Sequence, residues 1–267
     1  VAALAVTLAL GVAFAGVAPA WAHHGRDFLL AETAEIPHPG QGWAIARQDY
    51  LDQADGELEL EPSVLFGISR WLAFEIHGHV ARPDGGSFEY ESTAPALHLH
   101  IDLPRASWGL GLSTEYEISS QDDLPDTAAA ILSLSGLAGR TQLAFNLTAE
   151  EAQESGADTE WGYAVGLRRP LTSRLHWGIE ARGSLDGANA EDNGPAQEDL
   201  HTEAITALPS PHSAGGSGHG AEATGHEALL GLYFEASERL SVNGGVGTGI
   251  DGGPDLSVRT AVVWRFQ

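Results

Sequence analysis

Five short connections, each carrying an arginine, alternate without a break with six longer acidic ones. The short ones are Ile68-Ser69-Arg70, Leu103-Pro104-Arg105, Gly139-Arg140, Thr172-Ser173-Arg174 and Ser237-Glu238-Arg239. The long ones run 52–55, 83–86, 121–126, 150–158, 184–225 and 251–254. This sorting puts every short turn at one end of the molecule and every acidic loop at the other, as in strands that run up and down around a barrel. A β-sandwich has no reason to sort its loops so.

Between the connections lie twelve segments of alternating hydrophobicity: 41–51, 56–68, 71–82, 86–103, 106–120, 127–137, 139–149, 159–169, 173–184, 225–236, 239–250 and 255–266. An even number lets the first and last strands meet antiparallel and close the array. The predicted fold is therefore all-β, a single antiparallel up-and-down β-barrel of about 12 strands spanning a membrane.

Side chains two apart on a strand point the same way, so the alternation also assigns faces. Leu72, Phe74, Ile76 and Val80 should face lipid, as should Leu97, Leu99, Ile101, Leu103, Leu110, Leu112, Leu143, Phe145, Leu147, Leu230, Leu232 and Phe234. The opposite faces carry Glu57, Glu59 and Glu61, then Glu75, His77 and His79, then His98, His100 and Asp102, then Glu115 and Glu117, then His176, Glu180 and Arg182. A polar interior with an apolar exterior is the inverse of a soluble barrel. Trp71, Trp108, Trp161, Tyr163 and Trp177 fall near segment ends, where interfacial girdles belong, although Trp71 has inward parity. Pro62 and Pro95 interrupt their segments and are expected to mark bulges or strand ends.

Residues 1–22 are small and apolar and close on Ala20-Trp21-Ala22, which predicts a cleaved signal peptide and a mature chain starting at His23. Residues 23–40, with Pro37-His38-Pro39-Gly40, read as a non-helical periplasmic lead-in or a plug. The barrel would occupy 41–267, with 184–225 as a long external loop free to stay outside or to fold back as a constriction. No later apolar run is long enough for a membrane helix. The formal net charge of -24, with arginine as the only basic residue type besides histidine, argues against a nucleic-acid partner. With no cysteine there is neither a disulfide framework nor a thiolate metal site.

The C-terminal segment from Asp255 to Phe266 sets Leu256, Val258, Thr260, Val262, Trp264 and Phe266 on one face, and only Gln267 follows. In this, and over its whole mature length, the chain resembles a bacterial outer-membrane β-barrel, whose terminal strand usually ends on an aromatic residue. The opening His23-His24-Gly25-Arg26-Asp27-Phe28 with Pro37-His38-Pro39-Gly40-Gln41-Gly42 is similar to uncharacterised barrels described as transporter-like, metal-related or phenol-degradation outer-membrane proteins. The resemblance implies a Gram-negative outer membrane, contact with its lipid and lipopolysaccharide, and assembly by machinery that reads the C-terminal strand. It carries no active site onto any residue here.

The sharpest candidate chemistry is a pair of His-x-His units, His77/His79 and His98/His100, with Glu75 and Asp102 continuing their faces. Two imidazoles two residues apart on a strand can grip one divalent metal ion such as copper, zinc or nickel. If the hairpin turns near 83–86, His77 and His79 oppose residues around 90–92, so two separate pairs are expected. The plainer reading is that of lumen residues hydrogen-bonded to Glu and Arg. A free amine beside His23-His24, and His201, His212, His219 and His226 in and beside the long loop, are looser metal candidates. For an enzyme there is no Gly-x-Ser-x-Gly, and Gly245, Gly247 and Gly249 alternate along one strand with no helix after them to hold phosphate. These observations predict no catalytic residues and a passive pore or binding protein for small solutes, with inward carboxylates favouring cations or metal ions. The alternatives are a structural or adhesive surface barrel with a filled lumen and, last, a lipid-modifying barrel enzyme.

Overall fold

A computed structural model describes residues 28–52, 57–83, 86–103, 107–121, 124–185, 225–250 and 253–267. Twelve strands form where the alternation places them: β1 (Gly42–Asp52), β2 (Glu57–Ser69), β3 (Leu72–Pro83), β4 (Glu89–Asp102), β5 (Trp108–Ser119), β6 (Thr127–Ala138), β7 (Thr141–Ala152), β8 (Glu160–Pro170), β9 (Leu175–Ser184), β10 (His226–Glu235), β11 (Leu240–Ile250) and β12 (Leu256–Phe266). Each pairs antiparallel with its sequence neighbours. β12 returns to β1 with Phe266 opposite Gly42 and Leu256 opposite Asp52, so the barrel is closed and has no free edge. Among the described residues there is no helix. The predicted signal peptide at 1–22, His23 and His24, and the part of the long loop from 186 to 224 with His201, His212 and His219 lie outside them.

The short turns all fall at the Gly42 end. In the β6–β7 turn, Ala138 faces Thr141 across a two-residue connection, and Gly139 takes φ 65°, a left-handed conformation that a glycine adopts without steric cost.

The outward face is apolar, with Leu230 at 61%, Ile101 at 58% and Leu232 at 54% exposure. Trp108 stacks on Phe145 at 6.4 Å and Trp264 packs against Phe266 at 5.7 Å, both at the short-turn end. Tyr90, Tyr116 and Trp161 stand exposed near the long-loop end. An apolar band between two aromatic rings fits a bilayer. Replacing Leu230, near the middle of β10, by arginine is therefore expected to cost about 2–4 kcal/mol in lipid vesicles, read by urea unfolding, whereas a soluble barrel would tolerate it.

Three details differ from expectation. Trp71 lies in the β2–β3 turn, 53% exposed, where strand parity no longer applies. Pro62 and Pro95 neither end strands nor form the bulges. Pro62 leaves a gap in the β2–β3 ladder between Leu60–Val80 and Ser63–His77, and Pro95 leaves one in the β4–β5 ladder between Thr93–Ile118 and Ala96–Glu115. A proline nitrogen has no hydrogen to donate, so the strand continues with a rung missing. The register shifts sit elsewhere, at Gly67/Ser69 and at His79/Val80. Finally, the interior is not uniformly polar: Trp43, Ile45, Leu65, Ala73 and Val263 form a buried apolar cluster inside the short-turn end.

Candidate functional site

Residues 28–36 run inside the barrel. Phe28 is 1% exposed and packs with Ala31, Ala144 and Ala164, and its ring meets Tyr233 edge-on at 6.2 Å. Leu29 and Leu30 pack on Leu229, Tyr233 and Ala261. Ile36 rests on the Trp43 cluster, and the chain then turns at Pro37–Gly40 into β1. The segment thus enters at the short-turn end and reaches the middle of β8 and β9. Burying a Phe or Leu side chain is worth about 1.5–3 kcal/mol, so these contacts hold it firmly.

A buried strip of chain must satisfy its own backbone polar groups, and the wall does this. The Glu180 carboxylate accepts hydrogen bonds from three consecutive amides, Leu29 at 2.8 Å, Leu30 at 2.6 Å and Ala31 at 2.9 Å. It also takes the Tyr233 hydroxyl at 2.5 Å. Successive amides converging on one anion make a nest, here closed by a side chain 151 residues away in sequence. Asn146 accepts from the Glu32 amide at 2.7 Å and donates to the Glu32 carbonyl at 2.9 Å. Ser135 accepts from the Ala34 amide at 2.9 Å, and the Nδ1 of His100 lies 2.6 Å from the Ala34 carbonyl.

The wall is also cut to fit. A Cβ at Gly166 would meet the Phe28 ring at 2.6 Å, and one at Gly111 would meet the Ala34 Cα at 3.0 Å. A side chain at Gly166 would have to displace the Phe28 ring, and one at Gly111 would press on the backbone at Ala34.

Toward the long loops the lumen is lined by charge. Glu227 is bridged by Arg182 Nε at 2.9 Å and by Arg259, whose Nη2 lies at 2.9 Å and Nε at 3.1 Å, and it accepts the Ser257 hydroxyl at 2.5 Å. Arg259 reaches on to Asp49 across β1. Arg47 meets Glu61 at 3.4 Å. Arg182 and Glu180, neighbours on the lumen face of β9, do not pair with each other. Opposite Arg182 in the β9–β10 register stands Glu227, while Glu180 is taken by the N-terminal segment.

The histidines fall into separate pairs. His77 and His79 lie edge to face at 5.1 Å, opposite Ala94 and Ser92, and His77 Nε2 is 3.3 Å from Glu115. Glu75 belongs with the other pair, its carboxylate 2.8 Å from His98 Nε2, while His98 Nδ1 lies 2.8 Å from Ser113. His100 lies 3.0 Å from Asp102. Among the described residues no group of three or more His, Asp or Glu is arranged to hold a metal ion. His226 lies 3.1 Å from the Tyr163 hydroxyl, and His176 lies 4.0 Å from Glu235, which also binds Arg168 at 3.0 Å. Glu117 accepts the Ser92 hydroxyl. Glu57 and Glu59 lie half-buried on the inward face of β2.

Sequence reasoning missed Glu227, Arg259, Asp49, Asn146 and Ser135. Strand parity could have placed each of them in the lumen, but not beside its partner.

No protein-family model matches the chain, and no curated protein matches it. Solved structures do. The COG4313 outer membrane channel from Pseudomonas putida F1 aligns at TM-score 0.57 and 9% identity over 87% of this chain and 97% of its own. The NanC porin aligns at 0.54 and 9% over 83% and 98%. The KdgM porin aligns at 0.51 and 10% over 84% and 99%. At these identities the likeness is one of fold, that of outer-membrane porins and channels.

Proposed function

We propose that this barrel is a passive outer-membrane pore for small solutes, with a preference for cations, and that residues 28–36 occupy its path when it is at rest. The observation that carries the reading is the lumen itself. Its long-loop half is lined with ionisable groups that a filled structural core does not need, and carboxylates exceed arginines there. Glu57, Glu59, Glu61, Glu115, Glu117 and Glu150 face inward on β2, β5 and β7. Of the three arginines, Arg47 is matched by Glu61, and Arg182 and Arg259 are matched by Glu227 and Asp49. Fixed negative charge in a confined path raises the local concentration of cations.

The apolar outer band and the porin-like fold support the outer membrane as its location. Among the fold neighbours, KdgM porin has been solved with disordered oligogalacturonate. That ligand is a polyanion, and a carboxylate-rich vestibule would repel it, so the solute proposed here is of the other sign.

Single-channel recording of the refolded chain under a salt gradient tests this. Brief steps are expected, with a reversal potential on the cation side, and replacing Glu57 and Glu59 together by glutamine is expected to move that potential toward zero. Anion-selective steps would sink the cation preference. A second reading, a closed structural or adhesive barrel, draws on the packing of the short-turn half, where Glu75 and Tyr233 are both 0% exposed. A folded chain that stays silent even after the segment is undocked would favour that reading.

A further inference from the structure

We propose that the groove holding residues 28–36 is a binding site for linear peptides, filled here in cis by the chain's own segment. Two sets of contacts argue for this. The first is directed at main chain, which any peptide supplies. Glu180 takes the amides of Leu29, Leu30 and Ala31, Asn146 pairs with both the amide and the carbonyl of Glu32, and Ser135 and His100 take the amide and carbonyl of Ala34. A side-chain amide that satisfies both backbone groups of one residue reads a peptide as a neighbouring strand would.

The second set selects side chains. Gly166 with Ala144 and Ala164 makes a recess filled by an aromatic ring. Leu229, Gly245 and Ala261 make one filled by a branched aliphatic chain. Ala34 is 3% exposed and sits directly against Gly111, where an added Cβ would come within 3.0 Å of the Ala34 Cα. The ligand class is thus a short linear peptide that opens with an aromatic residue followed by an aliphatic one and carries a small residue at the place of Ala34. The inference rests on the pore reading only for the route by which such a peptide reaches the groove.

The test measures binding without current. In the full chain, Leu30→Pro with Ala31→Pro removes two of the amides that Glu180 holds and frees the groove while leaving the wall untouched. A fluorescein-labelled nonapeptide, Phe-Leu-Leu-Ala-Glu-Thr-Ala-Glu-Ile, is then titrated and read by anisotropy. Saturable binding is expected, weaker by about tenfold or more in the unsubstituted chain, whose own segment competes. Adding Asn146→Ala or Gly166→Leu should weaken it by about tenfold each, the scale of one lost bidentate pair or one blocked pocket. A peptide with alanine in place of its phenylalanine, whose ring is 1% exposed in the docked segment, should bind more weakly by about tenfold or more. One N-methylated at its Leu-Leu-Ala amides should not bind.

Three results would overturn the proposal: no saturable binding to a barrel shown by circular dichroism to be folded, binding indifferent to both wall substitutions, or binding unchanged when the peptide loses its phenylalanine. Should Gly166→Leu fail to fold, Asn146→Ala still decides the second of these. Peptide binding by a barrel that never conducts would count against the pore reading alone.

Discussion

Glu180→Ala is expected to undock the N-terminal segment and turn brief current steps into sustained ones. The carboxylate is 1% exposed and holds three amides and the Tyr233 hydroxyl at once. Without it the three amides are left buried and unmatched at about 1–3 kcal/mol each, so the docked state loses most of its advantage over an undocked one whose amides reach water. Even a shift of about 4 kcal/mol changes the docked-to-undocked ratio by roughly a thousandfold. The chain has no cysteine, which permits a second readout. Ala31→Cys, at a position 2% exposed, should resist a maleimide in the otherwise unchanged chain and react in the Glu180→Ala background. Glu180→Gln keeps one acceptor oxygen and should fall between the two. Equal labelling in both backgrounds would mean that Glu180 does not hold the segment.

The same segment shows where reading the sequence succeeds and where it stops. Lipid and lumen alternate along each strand, so every strand writes its position into the order of residues, and β12 with Val258, Val262 and Trp264 outward and Arg259 inward was readable from that order alone. The sorting of turns did the same for topology. Phe28-Leu29-Leu30-Ala31 has no period, and its partners are amides meeting a carboxylate about 150 residues on, a contact with no local signature. Register across a long connection is equally hidden. Parity put Glu180 and Arg182 in the lumen, but the opposition of Arg182 to Glu227 depends on how β10 is set against β9 after the connection from 184 to 225. The histidines repeat the lesson: parity found the lumen face, while the register gave Glu75 to His98 and Glu115 to His77.

The interior also explains why a barrel of this kind carries apolar residues inside. A lumen that were water-filled throughout would want polar walls at every level. Here Trp43, Ile45, Leu65 and Val263 are buried where the chain passes from the segment into β1, with Ile36 against them. They act as a hydrophobic collar at the base of the segment, so undocking at Glu180 need not release Pro37–Gly40. The amide of Gly40 donates to the Gly67 carbonyl at 3.0 Å and that of Gly67 to the Gln41 carbonyl at 2.9 Å, which continues the β1–β2 ladder under the segment. Opening would then be a hinge about this base rather than expulsion of the whole segment.

Glu227→Ala should cause the largest loss of stability of any single lumen substitution in the long-loop half. Its carboxylate is shared by two arginines and a serine, and the side chains of Glu227 and Arg259 are each 3% exposed. Removing one partner of a buried ion pair costs about 3–5 kcal/mol where the remaining charge is left desolvated and wholly uncompensated, which is the upper bound here. Arg259 would keep Asp49, while Arg182 would lose its bridge but could turn to water, since its side chain is 37% exposed. The penalty therefore falls mainly on Arg259. Urea unfolding in vesicles should show it, and Arg182→Ala should cost much less, on the order of the 1 kcal/mol typical of solvent-screened pairs. The double variant Glu227→Leu with Arg259→Leu removes both charges and should recover much of the loss, leaving Asp49 to solvate from the vestibule. If Glu227→Ala unfolds at the same urea concentration as the unsubstituted chain, the network is solvated rather than buried. The wall at β10–β12 would then be part of an open path, and the arginines would act on the passing solute instead of on the fold.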